Sequence, residues 1–178
     1  MIRVEGCDIV ATRHAGEERH PFATALEAKQ RAAFMGEALT WRGTPFVHCG
    51  DVKGPKGAVD CAMLLVRSAV DTGLMAPFDP RPYSPKWMVH RTEEKFLNWL
   101  EAIGLHEVET PRVGDVVVFH WCNTYSHGAI LVNSEEVVHA YANAGQVIVS
   151  RLDEAVLSFL PVTFANVPRP MRYFSLWA

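Results

Sequence analysis

No run of apolar residues in this chain comes near the roughly 18 that a membrane-spanning helix needs. Its first ten residues are broken by Arg3, Glu5 and Asp8. A secretory leader needs an uninterrupted apolar segment, so this start is a poor one, and the expected place of the chain as synthesised is the cytoplasm. Strong charge of one sign is missing as well: 17 Lys and Arg against 20 Asp and Glu give a formal net charge of −3. With no basic stripe there is no electrostatic footprint for nucleic acid, and no such partner is expected. Cysteine is sparse. Cys7, Cys49, Cys61 and Cys122 form no C-x-x-C pair, and in a cytoplasmic chain of this size they need not be disulfides. Repeats and low-complexity segments are absent too, and nothing in the sequence calls for a cofactor.

What is present suits one domain spanning residues 1–178, with 49% hydrophobic and 21% charged residues in a chain long enough for a sizeable core. Residues 1–25 read as an N-terminal extension with a strand-like run at Ile2–Val10, and the core as about 26–160. The spacing of Leu26, Ala33, Phe34 and Leu39 predicts a helix over 25–39 with those residues on its buried stripe. Residues 40–60, rich in Gly and Pro, read as a loop. Cys61–Val70 is apolar on nearly every side, as in a buried helix, with Gly73 as its stop. After an irregular stretch at 76–90, Thr92 is a candidate cap for a helix to Ile103 that buries Phe96, Leu97 and Leu100. From Val113 the texture is of strands: 116–120, 127–132, 137–141 and 146–151, then a short helix at 153–160 and an extended piece at 172–177. Helices followed by antiparallel strands predict an α+β fold.

The chemistry centres on Cys61, where a Gly-rich loop meets a buried helix. A helix N-terminus stabilises thiolate and offers unpaired N–H groups to an oxyanion, so a lowered thiol pKa is expected. Asp60 is placed to cap that helix, although its charge would raise the thiol pKa. His127 and His139 fall on neighbouring predicted strands across the Asn133–Ser134 turn, near enough for one imidazole to bond the other. Nucleophile, base and orienting group would then be Cys61, His127 and His139. The bland alternatives are a packed cysteine and structural histidines. A zinc site built from Cys61, His127 and His139 with Cys49 or His120 is a rival, though its spacing fits no standard finger. Trp87, Trp99, Trp121 and Trp177 read as core or groove walls.

The segments Trp41-Arg42-Gly43-Thr44-Pro45-Phe46, Lys56-Gly57-Ala58-Val59-Asp60-Cys61, Gly114-Asp115-Val116-Val117-Val118-Phe119, Ser126-His127-Gly128-Ala129-Ile130 and Val138-His139-Ala140 resemble, in order, the motifs of the NlpC family. The match resembles most the branch carried by phages and gene-transfer agents. The resemblance implies a papain-like cysteine peptidase domain with a Cys-His-His site, acting on γ-D-glutamyl–diaminopimelate bonds of peptidoglycan stem peptides. It also implies phage tail proteins as partners and a virion-associated or released protein. Asp60, Phe46, His48, Ala62 and Ser126 are the substrate-side residues it suggests. Two positions depart from the family pattern. Phe46 stands where a tyrosine is usual, and Ala62-Met63 where Ser-Gly is usual. His48 or the tyrosine of the Arg81–Ser84 loop would have to supply the missing donor. An amidase or acyltransferase of the same fold, or a tail component that has kept the fold without the chemistry, are the alternatives.

Overall fold

The computed structural model describes residues 21–153 and 170–177. The strand-like run at 2–10 and all but the first residue of the helix expected at 153–160 lie outside them. The architecture is α+β: helices α1 (Pro21–Leu39), α2 (Cys61–Asp71), α3 (Trp87–His90) and α4 (Lys95–Ala102) accompany a six-stranded antiparallel sheet. The strands are β3 (His106–Val108), β4 (Val116–Trp121), β5 (Thr124–Leu131), β6 (Glu136–Tyr141), β7 (Gln146–Arg151) and β8 (Met171–Ser175), in the order β3-β8-β4-β5-β6-β7. A two-residue hairpin, β1 (Asp51–Val52) with β2 (Ala58–Val59), lies within the loop expected at 40–60.

Strand alternation sorts the sheet into two faces. Val116, Val118, Ile130, Val138 and Ala140 join Leu64, Leu65, Phe96 and Leu100 of the helices in the main core. The other face carries a smaller cluster of Val117, Phe119, Ala129, Leu131 and Val137. β8 closes the sheet by pairing with both β3 and β4, so the end of the chain is tied into its middle.

Two expectations fail for identifiable reasons. On α1 the buried stripe is Glu27, Arg31, Phe34 and Ala38, whereas Ala33 is exposed and Leu26 is 56% exposed. Arg31 is buried because its partners are buried with it: Glu27 at 2.7 Å, Asp115 at 2.6 Å and the Trp177 ring at 4.4 Å from the guanidinium carbon. A stripe read from apolar residues alone misses a satisfied charge. On α4 the N-cap position is Glu94, not Thr92. Its carboxylate accepts the backbone N–H of Tyr125 at 2.8 Å and so ties α4 to β5 instead of capping the helix.

Candidate active site

Cys61 is the first residue of α2, and Asp60 sets its position. Asp60 Oδ1 accepts the Met63 N–H at 3.0 Å, the N-cap bond that satisfies one orphan donor of the first turn. Its Oδ2 accepts the Cys49 N–H at 2.7 Å, and the Tyr83 hydroxyl donates to the carboxylate, 2.8 and 2.7 Å from its two oxygens. One buried carboxylate thus joins α2, the 48–49 turn and the Tyr83 loop. Cys49 supplies its N–H from a left-handed conformation (φ 60°), which a non-glycine residue adopts only when its surroundings hold it there.

The thiol itself stands against β5. The β5–β6 ladder pairs Leu131 with Val137 and Ile130 with Val138. Just past those pairs, Cys61 Sγ faces the Ser126 carbonyl at 4.0 Å. Gly128 is there because nothing larger fits: a Cβ would sit 2.6 Å from the Phe96 ring and 2.7 Å from Leu65. Close approach of strand to helix is what brings the sulfur onto the backbone of the strand that carries His127.

Behind the thiol is a histidine pair. His127 Nε2 lies 2.9 Å from His139 Nδ1, and His139 Nε2 lies 3.0 Å from Ser150 Oγ on β7. Only one arrangement of protons leaves His127 able to act as a base through Nδ1. In that arrangement Nε2 of His127 donates to Nδ1 of His139, and Nε2 of His139 donates to Ser150. The rings are held from the sides as well, Phe119 against His127 at 5.7 Å and Tyr141 stacked on His139 at 5.2 Å.

The electrostatics correct one expectation. The Cys61 thiol pKa is not lowered. Dense packing around the sulfur, although the residue keeps some exposure, pushes it up to about 12, with the Asp60 charge adding to the rise. The N–H groups of Gly128, Ala62 and Cys61 pull the other way without reversing it. Burial holds His127 well below the usual imidazole range, helped by His139, and lowers His139 to about 4. The resting pair is therefore a neutral thiol and a neutral imidazole.

A cavity of about 320 Å³ opens beside the sulfur. It is lined by Cys61 and His127 and by Phe46, His48, Asp60, Ala62 and Ser126, so it gathers every sequence-derived site residue except His139, which sits behind His127. Tyr83, Trp87, Trp99 and Trp121 form more of the wall. A second hollow of about 600 Å³, between α1 and the other face of the sheet, is lined by no cysteine or histidine and has no such chemistry.

The sequence profile of the NlpC/P60 family matches residues 43–160, two thirds of the chain and all of this site. The chain belongs to the NlpC/P60 family. Solved structures give the same fold. One is the P60 domain of an antigen from M. avium subspecies paratuberculosis, 11% identical, covering 86% of this chain and 98% of that one at a TM-score of 0.54. The peptidoglycan hydrolase RipB of Mycobacterium tuberculosis is 16% identical over 85% of this chain and 67% of its own, also at 0.54. An N-acetylmuramoyl-L-alanine amidase of Bacteroides uniformis is 12% identical over 82% and 98%, at 0.53. No curated protein matches the sequence.

Within this NlpC/P60 domain the zinc alternative finds no support in the geometry. Among the described residues the His, Cys and acidic donor atoms that converge belong to His48, Cys49 and Asp60, which share only Cys49 with the expected set of Cys61, His127, His139 and Cys49 or His120. Of the four tryptophans read as core or groove walls, Trp177 packs on the core beside Phe34 and over Arg31 and does not line the cavity. Ser150 went unforeseen. Its signal was its place on the strand beside His139: the β6–β7 register sets His139 opposite Ile148, and Ser150 is the next residue on that face.

Proposed function

We propose that this NlpC/P60 domain is a cysteine amide hydrolase of peptidoglycan stem peptides, with Cys61 as nucleophile, His127 as base and His139 as the group that orients it. The observation that carries the reading is a thiol at a helix start opening into the same cavity as a buried imidazole whose second nitrogen is held at 2.9 Å by another histidine. Because thiol and imidazole both rest neutral, proton transfer accompanies attack. The sulfur bonds to the scissile carbonyl carbon as its proton passes to His127 Nδ1, and charge develops on the carbonyl oxygen. The backbone N–H groups at the start of α2 are the donors for that oxygen, and the Tyr83 hydroxyl, whose single proton rests on Asp60, turns from that carboxylate to the oxygen in the role Phe46 cannot fill. Collapse breaks the C–N bond, and the leaving amine takes the proton from His127. Water, deprotonated by the same imidazole, then hydrolyses the thioester.

The bond we assign is the γ-D-glutamyl–diaminopimelate amide, in a protein of phage or gene-transfer-agent origin that works with tail proteins. The family membership and the motif resemblance support this choice. The test is digestion of defined muropeptides, with fragments read by mass spectrometry. Fragments from wild type that disappear with Cys61→Ala support the proposal. An absence of fragments from every muropeptide, together with failure of a thiol probe to label Cys61, leaves a scaffold that has kept the fold.

A further inference from the structure

The cavity beside Cys61 has an unusual balance of chemistry. Trp87, Met88, Phe96 and Trp99 face it from α3 and α4, so hydrocarbon and aromatic surface makes one whole side. These rings brace one another. Trp99 contacts Tyr83 at 5.1 Å, Phe96 at 6.1 Å and Trp87 at 6.4 Å between centroids, so the wall is formed before any ligand arrives. Among the described residues no lysine or arginine lines the cavity. Arg81, which donates to the Cys49 carbonyl near the rim, is already held by Asp79 at 2.7 Å and Asp51 at 3.0 Å. The one carboxylate in the lining, Asp60, is committed to Met63, Cys49 and Tyr83, with His48 Nδ1 3.5 Å away, and the other ring nitrogen of His48 lies 2.7 Å from the Tyr83 carbonyl. A substrate carboxylate entering here would give up its water, meet no lysine or arginine, and approach the Asp60 carboxylate, on which His48 is already turned.

A second observation is independent of the aromatic wall. Ser126 lines the cavity and is 7% exposed, and its buried hydroxyl has no partner among the described residues. A buried hydroxyl left unpaired costs free energy that a ligand can return. It suits one neutral polar group, an amide or a carbonyl, carried on an otherwise apolar substituent.

We infer that this cavity is a substrate subsite for an uncharged, largely hydrocarbon group, and that a stem peptide is taken with the carboxyl that enters it amidated rather than free. The inference rests on the hydrolase reading for its choice of peptide, and its test separates the two. Met88 is half-buried and Val89 is 47% exposed, so either can carry a charge into the rim with the fold intact.

The experiment compares two forms of one stem peptide, identical but for a carboxamide in place of the free α-carboxyl. Binding to Cys61→Ala is followed by tryptophan fluorescence, which Trp87, Trp99 and Trp121 in the lining make sensitive to occupancy. Hydrolysis of both forms by wild type is measured alongside. The amidated form should bind at least tenfold more tightly, and Met88→Arg or Val89→Arg should narrow or reverse that preference. Ser126→Ala should weaken the amidated form severalfold and leave the acid form unchanged. Equal or tighter binding of the acid form overturns the inference even if wild type hydrolyses both, and so does the absence of binding by either. Selective binding of the amidated form without hydrolysis upholds the subsite and refutes the hydrolase.

Discussion

His127 and His139 meet at 2.9 Å without facing each other across the sheet. Extending the pairing of Ile130 with Val138 sets His139 opposite Ala129, so the two imidazoles are diagonal neighbours on one face. Diagonal pairs lie within reach of long or aromatic side chains. The offset directs His127 Nε2 at His139 Nδ1, and Ser150 Oγ lies 3.0 Å from the other nitrogen of His139.

Ser150 should therefore act through the tautomer of His139. Ser150→Ala leaves the buried His139 N–H without its acceptor, at about 1–2 kcal/mol, and kcat should fall roughly fivefold to thirtyfold with KM little changed. Ser150→Thr, which keeps the hydroxyl, should restore the rate. His139→Ala should cost on the order of a hundredfold or more, as for loss of acid–base function. An unchanged kcat in Ser150→Ala would show that the proton arrangement does not depend on β7.

Stability should weaken in mild acid. Burial lowers His139 to about 4 and holds His127 well below its usual value, so between the ordinary imidazole pKa near 6.5 and about 4 the unfolded chain binds protons that the folded one does not. Stability then rises with pH through that window and is lost as pH falls through it. The raised Cys61 pKa acts at the other end, with its contribution intact below 9 and lost toward about 12. Urea unfolding from pH 4 to 8 should show the acid limb, and His139→Gln should flatten it. A wild-type midpoint independent of pH would rule out buried neutral imidazoles.

Tyr83 carries two roles that one substitution separates. Its hydroxyl is held protonated, its pKa raised first by burial and then by Asp60, so it stays a donor. If it serves the oxyanion, Tyr83→Phe should cost on the order of a hundredfold to a thousandfold in kcat. Phe46→Tyr in that background should recover part of the loss, since both side chains line the cavity. Lower thermal stability with kcat unchanged would mean that Tyr83 only supports the Asp60 cap.

Much of this was legible in the sequence because local chemistry and tertiary placement agree. The apolar run after Cys61 could only be a buried helix, and alternation marked β4, β5, β6 and β7 to within a few residues. What escaped depends on distant partners. The Glu27–Arg31 stripe is buried only because Asp115 arrives from the sheet. Glu94 displaces Thr92 because β5 offers an N–H. The thiol pKa goes up where a helix N-terminus alone would lower it, since burial and Asp60 outweigh the N–H groups. His48 and Tyr83 both line the cavity, and that the tyrosine proton rests on Asp60 depends on a loop more than twenty residues away in sequence.

The central claim is that Cys61 is acylated, and intact-protein mass spectrometry tests it most directly. Wild type is mixed with a stem peptide whose scissile amide is replaced by an activated ester, and quenched within the first turnover. The account predicts a mass increase equal to the acyl fragment, mapped by digestion to Cys61, absent from Cys61→Ala and retained in Cys49→Ser. An adduct on Cys49, or turnover of the ester with the same burst in Cys61→Ala, would contradict it.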